Sequence, residues 1–234
     1  MIAEAISPLF QYPQQAAFDR ILPKNKIYAH AKPSRRLQQR FTEDVAQIVW
    51  KYKLAPETIR LPSRSDIEEI QVFAVTLKEP AEDDLTEDVL RCIDRAIRFP
   101  IIFEVIAPER LRVVAAYKRS SEADSAKWVV GDYFMSAWFP KDTPRVPLPV
   151  ALDLAALYTH ILRRLMPHPP RDGETLQSHA DRLATIDSLE KEHRTLETQL
   201  NREKQFNRKV EINAQLRAVR NQINDLTQAH RDQT

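Results

Sequence analysis

The sequence predicts an α+β fold: a mixed β-sheet in β-α-β-β-β order with flanking helices, followed by a long C-terminal helical coiled coil. Three observations carry this expectation. The only glycines are Gly131 and Gly173, and all 16 prolines lie at or before Pro170, so the chain beyond Gly173 contains no helix breaker. Between Ile70 and Phe139, runs of β-branched and aromatic residues surround one amphipathic stretch of helical period. From Glu174 onward, Leu183, Ile186, Leu189, Leu196 and Leu200 recur at steps of three and four residues, or their sums, amid Glu, Lys, Arg and Gln. The expected organisation is an α+β globular domain over 1–166, a proline-rich linker over 167–173 and a helical coiled-coil tail over 174–234.

Each element has its own signal. Ser34, after Pro33, is a helix N-cap, and Leu37, Phe41, Val45, Ile48, Val49 and Tyr52 share one helical face, which predicts a helix to about Tyr52. Ile70 to Lys78 reads as a mostly apolar strand that ends at "KEPAEDD". Leu85 to Ile97 returns to helical period, with Leu85, Val89, Cys92, Ile93, Ala96 and Ile97 in one stripe and Pro100 as its stop. Three β-rich runs follow, Ile101 to Ile106, Leu111 to Lys118 and Lys127 to Phe139, joined by a short turn and a Ser-rich loop over 120–126. Strand, helix, strand implies a parallel pair with a right-handed crossover, and the short later links imply an antiparallel meander. Asp153 caps a closing helix to Leu165, whose buried face carries Leu154, Leu157, Tyr158, Ile161, Leu162 and Leu165.

The tail holds two heptad seams. Ile186, His193 and Leu200 repeat every seven residues with Leu189 and Leu196 between them; Ile212, Val219 and Leu226 do the same with Leu216 and Ile223. The seams are out of register, because extending the first would put apolar residues at Glu203 and Asn207. Either one helix contains a discontinuity, or Asn201 to Lys209 is the tip of an antiparallel hairpin. That stretch has neither Gly nor Pro, which favours the continuous helix. A seam of Ile186, Leu189, Leu196, Leu200, Phe206, Val210, Leu216, Val219 and Ile223 would pair two copies into a homo-oligomer or dock the chain onto a partner protein.

Charge and chemistry exclude more than they assign. With 43% apolar and 29% charged residues the chain is globular, and no apolar run reaches membrane-spanning length. One cysteine, Cys92, leaves no intramolecular disulfide and no Cys-cluster zinc site, and Met1-Ile2-Ala3-Glu4 lacks a basic signal region, so a cytoplasmic protein without membrane contact is expected. Thirty-five Lys+Arg against 33 Asp+Glu give a formal charge of +2, so only a local patch could favour nucleic acid. The one such patch is Arg202, Lys204, Arg208 and Lys209 around Phe206, with Glu203 among them; a solvated or interface face is the plainer reading, phosphate contact the sharper one. Glycine-rich phosphate loops, H-E-x-x-H and G-x-S-x-G are all missing, and His30, His160, His168, His179, His193 and His230 are scattered, so no cofactor or metal is expected.

The best catalytic candidates are Asp94, Glu104 and Lys118, a nuclease-like set in which carboxylates would hold Mg2+ beside a lysine. Restriction-type enzymes place the second acid and the lysine two residues apart, whereas Glu104 is followed by Val105 and Ile106, so ordinary surface charges are the better reading. Trp128, Tyr133, Phe134, Trp138 and Phe139, between Lys127 and Lys141, could stack bases, but core packing of a half-buried sheet accounts for them more simply.

The succession "FDRILPKNKIY", "QIVWKYKLAPETIRLP", "EIQVF", "DVLRCIDRAIRFPIIFEV", "VVAAYKR", "SAKWVVGDYF" and "REKQFNRKVEIN" resembles domain-of-unknown-function family forty-three ninety-one, a bacterial and archaeal family, over nearly the whole chain. The resemblance implies no established activity and no catalytic residues. It implies company: members look like companions of helicase and DNA-methyltransferase genes in mobile, restriction-like or phage-defence neighbourhoods. The expected function is therefore a non-enzymatic accessory or interaction protein of such a helicase or methyltransferase complex, assembling through its coiled coil. The alternative is a metal-dependent nuclease or nuclease-like DNA-binding subunit.

Overall fold

A computed structural model of the chain describes residues 7–79, 85–121 and 128–228; the expectations placed on Met1 to Glu4, Lys127 and His230, and on most of the loops at 78–84 and 120–126, lie outside them. The chain separates into two compact units between Met166 and Pro167. In chain order the first contains β1 (Phe10–Gln11), β2 (Ala17–Ile21), α1 (Lys24–Ala31), α2 (Arg35–Asp44), β3 (Val45–Leu54), α3 (Pro56–Ile59), β4 (Ile70–Leu77), α4 (Glu87–Ala96), β5 (Ile101–Ile106), β6 (Arg110–Ser120), β7 (Trp128–Met135), β8 (Phe139–Pro140), β9 (Val146–Pro147) and α5 (Leu154–Arg163).

These elements make a mixed α+β structure. The main sheet runs β2-β3-β4-β5-β6-β7, with β8 also beside β6. Within this sheet, among the described residues, β4 and β5 are the one parallel pair, joined through α4; their neighbours are antiparallel, while β1 and β9 form a separate parallel pair. Two strands, β2 and β3, precede the group the sequence suggested, so the sheet is larger than expected.

The helix expected from Ser34 to Tyr52 is corrected. Ser34 Oγ accepts from Leu37 N at 3.3 Å as a cap should, but the helix stops at Asp44 and Val45 begins a ten-residue strand. Register shifts between Val45 and Gln47 and between Trp50 and Tyr52 break the two-residue alternation of β3. The apolar spacing left by those bulges mimics a helical face. The strand is nonetheless where Val45, Ile48, Val49, Trp50 and Tyr52 fit best, because β-branched and aromatic side chains pack well on a pleated surface.

One face of the sheet carries a core in which Phe73, Val75, Ile101, Phe103, Val105, Val114 and Ala116 meet Val89, Leu90, Cys92 and Ile93 of α4 and Phe41 of α2. Asp153 caps α5 by accepting from Ala156 N at 2.8 Å, and Leu154, Leu157, Tyr158, Ile161 and Leu162 are buried beneath that helix. Gly131 marks a close approach: a Cβ there would lie 3.1 Å from the Tyr117 carbonyl oxygen, beside the register shift between Ala116 and Lys118.

The second unit holds α6 (Leu176–Arg202) and α7 (Phe206–Thr227). The continuous helix favoured by the sequence is corrected to an antiparallel hairpin, in which Leu196, Ile212 and Val219 are buried together and Leu189, Leu200, Leu216 and Ile223 pack around them. Glu203 and Gln205 turn the chain with φ of −71° and −78° in the extended region, so no left-handed residue and hence no glycine is needed. The Glu203 carboxylate accepts from Lys204 N at 2.6 Å and Gln205 N at 2.8 Å, doing the work of a local cap. Among the described residues, no helix is long and apolar enough to cross a membrane.

Candidate functional site

The three residues of the nuclease-like set are not brought together. Asp94 and Lys118 meet, both essentially fully buried, with Lys118 Nζ 3.4 Å from Asp94 Oδ1. The ammonium also donates to the carbonyls of Asp94 at 2.7 Å and Phe99 at 3.1 Å, and to that of Ile97. These carbonyls belong to the end of α4 and the turn after it, where that of Asp94 also accepts from Ile97 N at 3.4 Å, and a cation there satisfies both the acceptors and the helix dipole. Tyr133 closes the cluster by donating to Asp94 Oδ2 at 2.5 Å, and the Arg91 guanidinium lies 5.1 Å from the Tyr133 ring. Burial pushes the Asp94 carboxyl up and the Lys118 ammonium down, while their mutual attraction opposes both shifts. With its donors committed to backbone carbonyls, Lys118 is a brace rather than a reagent.

Glu104 lies on the other face. Strand residues alternate, and Ile101, Phe103 and Val105 occupy the α4 side, so Glu104 points away from it. There it forms a bidentate pair with Arg145, at 2.5 and 2.9 Å, and Arg145 also donates to the Phe10 carbonyl at 3.0 Å. Only 4% of Glu104 is exposed. Arg145 was not legible as a site residue, since a lone Arg in "DTPRVP" carries no pattern.

Among the described residues no cluster of three or more His, Cys, Asp or Glu is placed to hold a metal ion. The aromatic run divides: Tyr133 and Phe134 are buried, while Trp138 is half-buried against the core, with Arg110 at 4.5 Å and Arg112 at 5.0 Å from its ring. Both guanidiniums lie within cation–π range of that ring. A cleft of about 690 Å3 between α2 and the start of α4 is lined by Arg36, Arg40, Glu43 and Asp88 among others, and its opposed charges favour neither anion nor cation.

The hairpin separates the tail candidates into two groups. Leu196 and Val219 are buried, and Leu189, Leu200, Leu216 and Ile223 half-buried, in packing within the second unit, and Ile186 is buried as well. Phe206 and Val210 are left outside, 78% and 53% exposed, on the first turn of α7. Around them stand Arg202, Lys204, Arg208 and Lys209, all exposed. Arg208 pairs with Glu211 at 2.6 Å, and Glu203 is engaged by the backbone of the turn. Arg202, Lys204 and Lys209 make no ion pair among the described residues. The tip therefore presents an open aromatic and three cations outside any ion pair, with the Glu203 carboxylate beside Lys209, and Gln205 gives the first turn of α7 no side-chain cap.

The base of the hairpin is closed by charge. Arg182 forms a double contact with Glu174 at 2.7 and 2.8 Å and donates to the Leu226 carbonyl at 3.1 Å, while Arg171 reaches the carbonyls of Asp225 at 2.7 Å and Leu226 at 3.2 Å. Two guanidiniums thus meet the C-terminal carbonyls of α7. The Arg182 guanidinium holds the Glu174 carboxyl down at about 2.

Comparison with curated proteins and with solved structures gives no match. A family model, in contrast, matches residues 10–223, which span every sheet element of the first unit and nearly all of the hairpin. The chain belongs to the family described as Domain of unknown function (DUF4391).

Proposed function

We propose that the protein is a non-catalytic accessory module that engages an anionic macromolecular surface through the tip of its C-terminal hairpin, within an assembly of the helicase or DNA-methyltransferase type found in restriction and phage-defence systems. The observation that carries this reading is the tip itself: Phe206 is 78% exposed and is flanked by Arg202, Lys204 and Lys209, which form no ion pair among the described residues, and the tip's cations outnumber its carboxylates, Glu203 and Glu211. An exposed aromatic within a cationic rim is costly to leave in water and favourable to cover. The coiled-coil character belongs to this proposal in a modified form, since the heptad positions pack within one chain and leave the tip as the contact surface. Asp94, Glu104 and Lys118 lie on two faces of the sheet in buried pairs, which gives the nuclease reading no shared site in those residues.

Formaldehyde cross-linking of the full chain in its native host, which joins lysines to protein and to nucleic acid alike, tests the proposal. Lys204 and Lys209 are expected to join a second macromolecule, and Phe206→Ala is expected to reduce those links. A pattern in which both lysines link only within their own chain would overturn it.

A further inference from the structure

Resting on that reading, we infer that the ligand of the hairpin tip is single-stranded nucleic acid, with the Phe206 ring stacking on an unpaired base and Arg202, Lys204 and Lys209 contacting phosphates. The chemistry of the tip decides among polyanions. Four cations stand against two carboxylates, Glu203 and Glu211, of which one is bound by backbone N–H groups and the other is paired with Arg208. The helix ends contribute little net field, because the positive end of α7 lies beside the negative end of α6; the side chains supply the attraction. They supply it on both sides of the turn, Arg202 closing α6 and Lys209 on the first turn of α7, so a backbone crossing the tip meets charge before and after Phe206.

The exposed ring discriminates further. In a duplex every base face is already stacked, whereas a single strand offers free faces to an aromatic and phosphates to the cations at the same time. An anionic membrane would satisfy the cations but needs a broad apolar helix face, and that face of α7 is spent on α6 through Ile212, Leu216, Val219 and Ile223. An acidic polypeptide would satisfy the cations while giving the ring no matching planar surface.

Fluorescence anisotropy with a labelled oligothymidylate and the full-length chain tests this. The wild type should bind the oligonucleotide more tightly than a duplex of the same length. Replacing Arg202, Lys204 and Lys209 together with Gln should weaken binding and flatten the log–log salt dependence by about two units, at ~0.7 per phosphate contact on a single strand. Phe206→Ala should cost roughly five- to a hundred-fold in affinity and leave the salt slope unchanged, since base stacking is insensitive to counterion release. All four side chains are exposed, so circular dichroism and melting should match the wild type and exclude misfolding as the cause. Two further probes, polyglutamate and phosphatidylserine vesicles, separate the alternatives. Equal competition by polyglutamate, tip-dependent binding to vesicles, preference for duplex, or no loss on Phe206→Ala would each overturn the inference. If tip substitutions abolish cross-linking to a partner while no oligonucleotide binds, the inference fails and the accessory role stands; if they change neither, both fall.

Discussion

Lys118 is the residue whose role differs most between chain and fold. It reads as a charge at the end of the apolar run "LRVVAAYK", yet β6 continues to Ser120 and buries it to 1% exposure. What holds it there is a requirement invisible in one dimension: the terminal carbonyls of α4 need donors, and strand alternation puts Lys118 on the side of the sheet where that helix ends. The surface-charge reading the sequence favours for Asp94 and Lys118 is corrected: both are buried, 2% and 1% exposed, and they face each other. The expected consequence is thermodynamic. Lys118→Met leaves the Asp94 carboxylate buried with only Tyr133 as a close partner and takes the ammonium from the carbonyls of Ile97 and Phe99, so urea denaturation should register a loss of about 3–5 kcal/mol. Adding Asp94→Asn to that variant should cost less than the sum of the two single changes, because the first has already broken the pair. Strict additivity would show that the two groups do not act as a unit.

At the scale of elements, the regular pieces were legible and the irregular ones were not. The strand over Ile101 to Ile106 and the caps at Ser34 and Asp153 follow from local rules of alternation and side-chain acceptance, and they stand where those rules put them. β3 is hidden because two bulges erase its alternation, and the hairpin turn is hidden because none of its residues has a positive φ, so it needs no glycine. The heptad mismatch at Glu203 was the real signal, a seam that could be completed only by folding back. Two measurements bear on this element. Leu196→Ala should remove about 2–4 kcal/mol and lower helical ellipticity, as expected when a buried leucine leaves a cavity in a small seam. Glu174 adds a pH dependence. Its carboxyl titrates at about 2 in the folded chain against 4.5 unperturbed, so between those values the unfolded chain takes up the proton and the folded chain does not. The stabilisation, at most about 3 kcal/mol, is present above pH 4.5 and lost as the pH falls towards 2. Melting of Glu174→Gln should be flatter over that window than melting of the wild type; parallel curves would assign the acid sensitivity to other carboxylates.

At the scale of the whole molecule, two features bear on whether a second copy joins the first. The heptad positions that could have zipped two chains are used within one, and the sheet guards its outer strands. On β2 a register shift between Ala17 and Arg20 coincides with Asp19 at φ 47°, a backbone that cannot continue a flat ladder, and Asp19 is further held by Lys51 at 2.5 Å. On β7 the carbonyls of Val130 and Gly131 are occupied by Arg91 at 3.1 and 3.2 Å. A chain with its seam closed and its edges blunted should sediment as a single copy in the absence of ligand, with a mass that does not change with concentration. At the tip, the exposed Phe206 and Val210 alone are too small a surface to offset the loss of rotational and translational freedom in a stable dimer. Sedimentation velocity across a hundredfold range of concentration, roughly micromolar upward, decides the point. A dimer that dissociates on Phe206→Ala would show that the tip recognises its own kind, and a dimer indifferent to that change would place self-association on a surface other than the tip.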